Sequence, residues 1–233
     1  MWVAEWGPSG PARRARSGRD ENKPVRVGVT QRVEDLADRG ERRDALDQNW
    51  ARWVESGGDV MVPIPNGLDD PAAYVRDLEL DAIVLTGGND LAHLPGAVNP
   101  APERDATETA LLGVATDRGL PVLAVCRGMQ MLVHHWGGTP TRLDGHVATT
   151  HAIECVASRW PLRSGPVNSF HDWGISRDGV GATLDVLAIA PDGSVEAVSH
   201  PTLPQVGIMW HPERGEPDPA DRELLTRLIA SPA

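Results

Sequence analysis

Cys126 stands in Ala124-Val125-Cys126-Arg127-Gly128-Met129-Gln130, where an apolar run stops and a helical pattern starts. A thiol at such a turn is placed to act as a nucleophile. The helix N-terminus carries partial positive charge and favours the thiolate, which is the attacking form of sulfur. The N–H of Arg127, one residue on, can point at a developing oxyanion. Ala124 and Gly128 are small and leave room for strand and helix backbones to approach. Taken alone, Cys126 fits a small buried core thiol equally well.

A thiolate needs a base, and the chain has eight histidines. The sharpest candidate is His211, in Val206-Gly207-Ile208-Met209-Trp210-His211-Pro212-Glu213. An apolar strand delivers His211 to its end, Pro212 stops the ladder, and the Glu213 carboxylate can hold the imidazole. That supplies nucleophile, base and orienter. The tripeptide alone reads better as a strand-end His beside a solvated Glu. Paired with the elbow some 85 residues upstream, the triad reading is favoured. His134, His135, His146 and His151 match no zinc spacing and show no acidic partner set, so no metal and no cofactor are expected. His171 reads as pocket-lining or structural, with no carboxylate placed for it beyond adjacent Asp172. Cys155 reads as core.

These residues need a frame. The 233 residues, 40% of them hydrophobic, suffice for one large α/β domain. Residues 1–24 are rich in Gly, Pro, Ser and Arg and read as a disordered tail, which leaves 25–233 as the domain. No run approaches a membrane span. The net charge of −11 argues against a broad footprint on nucleic acid or anionic lipid, though not against one anionic ligand held by local arginines. Two cysteines make no disulfide framework and fit a reduced, cytoplasmic setting.

Strands are predicted at 25–30, 60–64, 81–86 and 121–125, alternating with helices at 45–56, 71–78, 103–118 and 128–136. This alternation implies βαβ units and a parallel sheet. The second half is richer in strands, at 151–156, 184–190, 194–198 and 206–209, before a closing helix at 220–229. The expected plan is a single α/β domain with a central, mostly parallel sheet flanked by helices and extended by antiparallel strands.

The C-x-G-x-Q elbow at Cys126–Gln130, followed by His211-Pro212-Glu213, resembles the class I glutamine amidotransferases, which have a flavodoxin-like fold. Cys-Arg-Gly-Met-Gln, Val167-Asn168-Ser169-Phe170-His171 and Gly137-Gly138-Thr139 look like the stand-alone branch that includes γ-glutamyl-γ-aminobutyrate hydrolase. A narrower similarity to γ-glutamyl-CDP-amidate hydrolases lies in Thr30–Val33, Gly145–Thr149 and Ile208–Arg214. The resemblance implies that Cys126 attacks a γ-amide carbonyl and that His211 protonates the leaving amine and then activates water. It further implies an oxyanion hole from the N–H groups of Gly87 or Gly88 and Arg127, in the loop Thr86-Gly87-Gly88-Asn89-Asp90 and the elbow. Asn89 stands where many members have a further Gly. Gln130, Ser169, Phe170 and His171 would contact substrate. Arg32, Arg42 and Arg214 could offset an anionic leaving group, against the plain reading of surface arginines. A small γ-glutamyl substrate is therefore expected, such as a γ-glutamyl-CDP-amidate or γ-glutamyl-γ-aminobutyrate, with a homo-oligomer or partner synthase open. The alternative is a glutaminase subunit supplying ammonia to such a synthase.

Overall fold

A computed structural model describes residues 23–156, 158–215 and 218–231. The tail expected at 1–24 lies outside the described residues except for Lys23 and Pro24. In chain order the strands are β1 (Arg26–Thr30), β2 (Arg32–Leu36), β3 (Glu41–Ala45), β4 (Val60–Ile64), β5 (Ala82–Leu85) and β6 (Val122–Val125). They continue as β7 (Thr141–Arg142), β8 (Thr149–Cys155), β9 (Gly165–Ser169), β10 (Trp173–Gly174), β11 (Asp185–Ile189), β12 (Val195–Ser199) and β13 (Gln205–Ile208). The helices are α1 (Gln48–Glu55), α2 (Pro71–Asp77), α3 (Pro102–Arg118), α4 (Arg127–His135) and α5 (Pro219–Ala230).

The fold is α/β, with a large central sheet between helices. Nine strands run in the order β4-β1-β5-β6-β13-β12-β11-β8-β9. From β4 to β13 neighbours pair in parallel, and from β13 to β9 they pair antiparallel. The central parallel strands β5 and β6 are buried on both faces, as crossover helices require, and so read as unbroken apolar runs. Ile83 and Leu85 pack with α3 and α4 residues such as Leu111 and Leu132. On the opposite face Ala82 and Val84 meet Trp50 and Trp53 of α1 and Leu224 and Leu228 of α5.

Local chemistry sets the helix ends. The Asp47 side chain accepts from Asn49 N, and Asp70 caps α2 in the same way, with Pro71 in its first turn. The first helix therefore starts at Gln48, not at Ala45, which closes β3 instead. The β2–β3 hairpin was absent from the sequence expectation. Its residues are mostly charged and exposed, and no apolar alternation marks it. Cross-strand charge pairing holds it, with Asp35 opposite Arg42 at 3.0 Å. Among the described residues no helix is long and apolar enough to cross a membrane.

Candidate active site

The parallel pairing of β6 and β13 explains how residues far apart in sequence meet. Val125 lies opposite Ile208, and Cys126 N donates to Ile208 O at 2.8 Å. Cys126 therefore caps the C-terminal end of one strand while His211 lies three residues beyond the end of its neighbour. Cys126 has φ 53° and ψ −111°, a conformation that L-residues adopt only when the surroundings enforce it. The enforcement is visible at Gly128. A Cβ there would overlap the Leu85 carbonyl, so only glycine lets α4 begin this close to β5.

His211 is held from three sides. Its Nδ1 lies 2.7 Å from Glu213 Oε1. The Asn168 side chain brackets its backbone, accepting from His211 N and donating to His211 O, each at 2.9 Å. Phe170 meets the imidazole edge-on at 5.8 Å. Burial works against the imidazolium, but the charge and hydrogen bond of Cys126, together with Glu213, outweigh it and lift His211 to about 9.

The loop after β5 completes the cluster. A Cβ on Gly87 would lie 2.7 Å from His211 Cε1 and 3.5 Å from Cys126 Cβ, so a bare backbone faces the thiol and imidazole there. Gly88 and Asn89 both take positive φ, 86° and 48°. Asn89 accommodates this as the sequence suggested, and its side chain also ties the loop to Val33 N and O at 2.8 and 2.9 Å.

Sequence reading missed the residue that shapes this loop. Arg104, on α3, has no exposed side-chain surface. It donates to the carbonyls of Thr86, Gly87 and Gly88 at 2.6, 3.0 and 2.9 Å. Fixing those three carbonyls fixes the peptide planes of the loop that faces Cys126 and His211. Glu108, one turn along α3, accepts from Arg104 Nε at 2.9 Å and Thr30 Oγ1 at 2.8 Å, and pairs with Arg127 at the start of α4. Arg127 also pairs with Asp105. Burial alone would raise Glu108, but Arg127 and Arg104 overcome it and hold the carboxyl below its ordinary range. One buried ion network thus joins the glycine loop to the elbow helix. Its only sequence trace is the i,i+4 pair Arg104/Glu108, which reads as an ordinary exposed helix pair.

The other expected contact residues divide. A cleft next to the glycine loop is lined by Arg32, Gly87, Gly88, His211, Glu213 and Arg214, among others. Arg32 pairs with Glu34 at 2.8 Å and lays its stem over Gly88. Arg214 sits over the Phe170 ring at 4.4 Å. Arg42 is committed to Asp35 and Glu103. Gln130 is buried, and its Nε2 donates to Trp173 O at 2.8 Å. Ser169 is fully buried and donates to His146 O at 2.7 Å. His171 is buried too, and the sequence argument that it lacks a carboxylate does not hold. Glu196 on β12 lies 3.8 Å from its Nε2, brought there by folding from 25 residues away. Burial, reinforced by His146, lowers His171 to about 3. Neither Ser169 nor His171 lines the cleft.

A helix-flanked, mostly parallel sheet with a cysteine at a strand–helix elbow and a histidine ending the adjacent strand defines the class I glutamine amidotransferase-like group. A solved glutamine amidotransferase from Thermotoga maritima has the same fold, with TM-score 0.66 and 18% identity over 90% of this chain and 100% of that one. More narrowly, the chain belongs to the Peptidase C26 family, whose profile matches residues 25–213. It is 29% identical over 192 residues to the γ-glutamyl-CDP-amidate hydrolase of Campylobacter jejuni, covering 81% of this chain and 90% of that protein. It is 30% identical over 226 residues to the γ-glutamyl-γ-aminobutyrate hydrolase PuuD of Escherichia coli K12, covering 82% and 86%. Membership in this family, with relatives named as hydrolases, makes the chain an enzyme.

Proposed function

We propose that this protein hydrolyses a γ-glutamyl amide bond through a Cys126 thioester, with residues 25–233 acting as one catalytic domain. The observation that carries the reading is the strained Cys126 beside an imidazole that Glu213 holds at 2.7 Å. The Cys126 sulfur attacks the γ-carbonyl carbon, and the carbonyl π electrons move onto oxygen. Backbone N–H groups of Arg127 and of Gly87 or Gly88 receive that charge. The oxyanion collapses, the C–N bond breaks, and the His211 imidazolium gives its proton to the leaving nitrogen. The neutral imidazole then takes a proton from water as its oxygen attacks the thioester, releasing glutamate and restoring the sulfur. Glu213 fixes the imidazole orientation throughout, and Arg104 holds the loop.

Charge at the cleft rim bears on what leaves. Arg32 and Arg214 line the same cleft as Gly87, Gly88 and His211, together with Glu34 and Asp47, and Arg binds phosphate oxygens through its planar fork. This favours an anionic amine or amidate, a nucleoside diphosphoramidate above a neutral amine. Two relatives named for γ-glutamyl-CDP-amidate and γ-glutamyl-γ-aminobutyrate support both as test substrates. The experiment is glutamate release from a panel containing both conjugates, neutral γ-glutamyl amines and glutamine. Turnover of the amidate with loss in Arg32→Ala and Arg214→Ala supports the reading. Activity on glutamine alone, appearing only with a partner protein, would replace it with an ammonia-supplying subunit.

A further inference from the structure

Three buried groups and the half-buried His151 meet on the antiparallel side of the sheet. One donor atom each from His146, His151, His171 and Glu196 lies within 4.8 Å of the others. His146 precedes β8, His151 is on β8, His171 follows β9, and Glu196 is on β12. The Glu196 oxygens lie 3.6 Å from His146 Nδ1, 3.7 Å from His151 Nε2 and 3.8 Å from His171 Nε2. All are beyond hydrogen-bond reach. His146 Nδ1, His151 Nε2, both His171 ring nitrogens and Glu196 Oε2 are buried without partners. Native interiors rarely leave buried polar atoms unpaired, and here the orphans converge on one point.

We propose that His146, His151, His171 and Glu196 bind a divalent transition metal, with Zn²⁺ the ion that fits best. Three imidazoles and one carboxylate are a zinc-type donor set, and four protein donors close the coordination shell as in a structural site. Tetrahedral arms of about 2.0–2.1 Å place donors roughly 3.4 Å apart. The Glu196–histidine separations of 3.6–3.8 Å need a small contraction, and the widest donor pair, at up to 4.8 Å, needs a larger one. The outer contacts fit as well. His146 Nε2 lies 2.9 Å from Asp192 Oδ2, which leaves Nδ1 free to ligate. Ser194 in turn holds Asp192, its N and Oγ donating to Oδ1 at 3.0 and 2.7 Å. His151 Nδ1 lies 3.2 Å from Ala152 O, which leaves Nε2 inward. A carboxylate or carbonyl on the far nitrogen is the usual support for a metal-bound His. Charge balances too, since Glu196 and Asp192 together offset a divalent ion.

The ion would clamp three segments that border the elbow. Ser169 Oγ and His171 N both donate to His146 O, at 2.7 and 3.0 Å. The same segment carries Asn168 and Phe170 to His211. Met209 N, two residues before His211, donates to Glu196 O at 2.8 Å. The metal therefore positions His211 without touching substrate.

The test uses full-length Cys126→Ala protein, so that the elbow thiol cannot bind the ion and the result does not depend on the γ-glutamyl reading. After chelator dialysis, Zn²⁺ is titrated against a chromogenic chelator, and Co²⁺ is added separately for its tetrahedral absorption. The expected result is one tight site per chain, tetrahedral Co²⁺ bands and a rise in Tm with Zn²⁺. His151→Ala and Glu196→Gln should lose the site. Asp192→Asn keeps every ligand and should weaken Zn²⁺ by about 10–100-fold, which guards against a ligand variant that fails to fold. Absence of stoichiometric Zn²⁺ binding by Cys126→Ala overturns the proposal. So does a site whose affinity is unchanged in both His151→Ala and Asp192→Asn.

Discussion

The two halves of the sheet both bury charge, and they treat it differently. In the parallel half, Arg104, Glu108 and Arg127 form a closed network in which Glu108 is held by Thr30, Arg104 and Arg127. In the antiparallel half, three histidines and Glu196 stand just too far apart to satisfy one another. The first arrangement gives its carboxylate a full set of protein partners, with Arg127 Nε left unpaired, and supports a neighbouring site. The second is completed by something added. Burial has the same electrostatic cost in both, and what separates them is whether partners are present. Without a nearby cation, Glu196 is pushed up to about 8 by burial and then by Asp192. Glu108, flanked by two guanidinium groups, stays below its ordinary range.

The largest effect belongs to the parallel half. Cys126→Ala or His211→Ala should lower kcat by about 10⁴-fold or more, since residues that act as a unit fail together. A loss under tenfold in steady-state glutamate release would detach the elbow from the chemistry.

The closed network should show itself in stability. Replacing Arg104 with Met takes one of Glu108's two cations and strands three loop carbonyls, with an expected cost of about 3–5 kcal/mol. Denaturant melts measure this directly, and kcat should fall as the glycine loop loosens. Because the folded Glu108 pKa is depressed, its contribution is present above the unfolded carboxylate pKa and is lost as pH falls through the folded value. Arg104→Met should therefore matter less in acid. A substitution with no stability effect near neutral pH would erase the contrast between the halves.

The pH profile sharpens the comparison further. His211 is raised to about 9, so on the proposed mechanism its imidazolium is available as the leaving-group acid up to that pH. The limb of kcat/KM that reports this acid should fall above about 9. Since the folded value exceeds the unfolded one of about 6.5, the stabilisation is full below 6.5 and lost as pH rises through 9. Glu213→Gln should lower kcat and move that limb to lower pH. An unmoved limb would mean that Glu213 does not act on the imidazole.

Asn168→Ala is the smallest of these changes. It leaves His211 N–H and C=O without their side-chain partner, at about 1–3 kcal/mol. Its effect on kcat should exceed its effect on KM, because it shifts the base and not the cleft wall.

What could be read in advance divides along the same line. The proposed trio Cys126, His211 and Glu213 could be picked out because apolar runs lead up to it, with Cys126 directly after β6 and His211 and Glu213 three and five residues past β13, and β5 and β6 announce themselves by composition. The support was not. Arg104 and Glu108 look like a solvated helix pair, and only the fold shows that the glycine loop lies over them. The hairpin at Arg32–Ala45 has no apolar period, being held by backbone and cross-strand charge. Spacing along the chain shows no acidic partner for the histidines, because Glu196 arrives from another strand. Ser169 and His171 belong to a segment that was noticed, but their side chains turn out to be buried beside His146. Asn168, the member that touches the His211 backbone, was passed over.

The central claim is that Cys126 is the nucleophile, and the most direct measurement is its covalent capture. The protein is treated with an electrophilic glutamine analogue and analysed by peptide mass spectrometry. One equivalent on the peptide bearing Cys126, slowed sharply in His211→Ala and protected by a γ-glutamyl substrate, is the predicted result. Modification of Cys155 instead, or an unlabelled Cys126 in protein that still turns over substrate, would contradict the account.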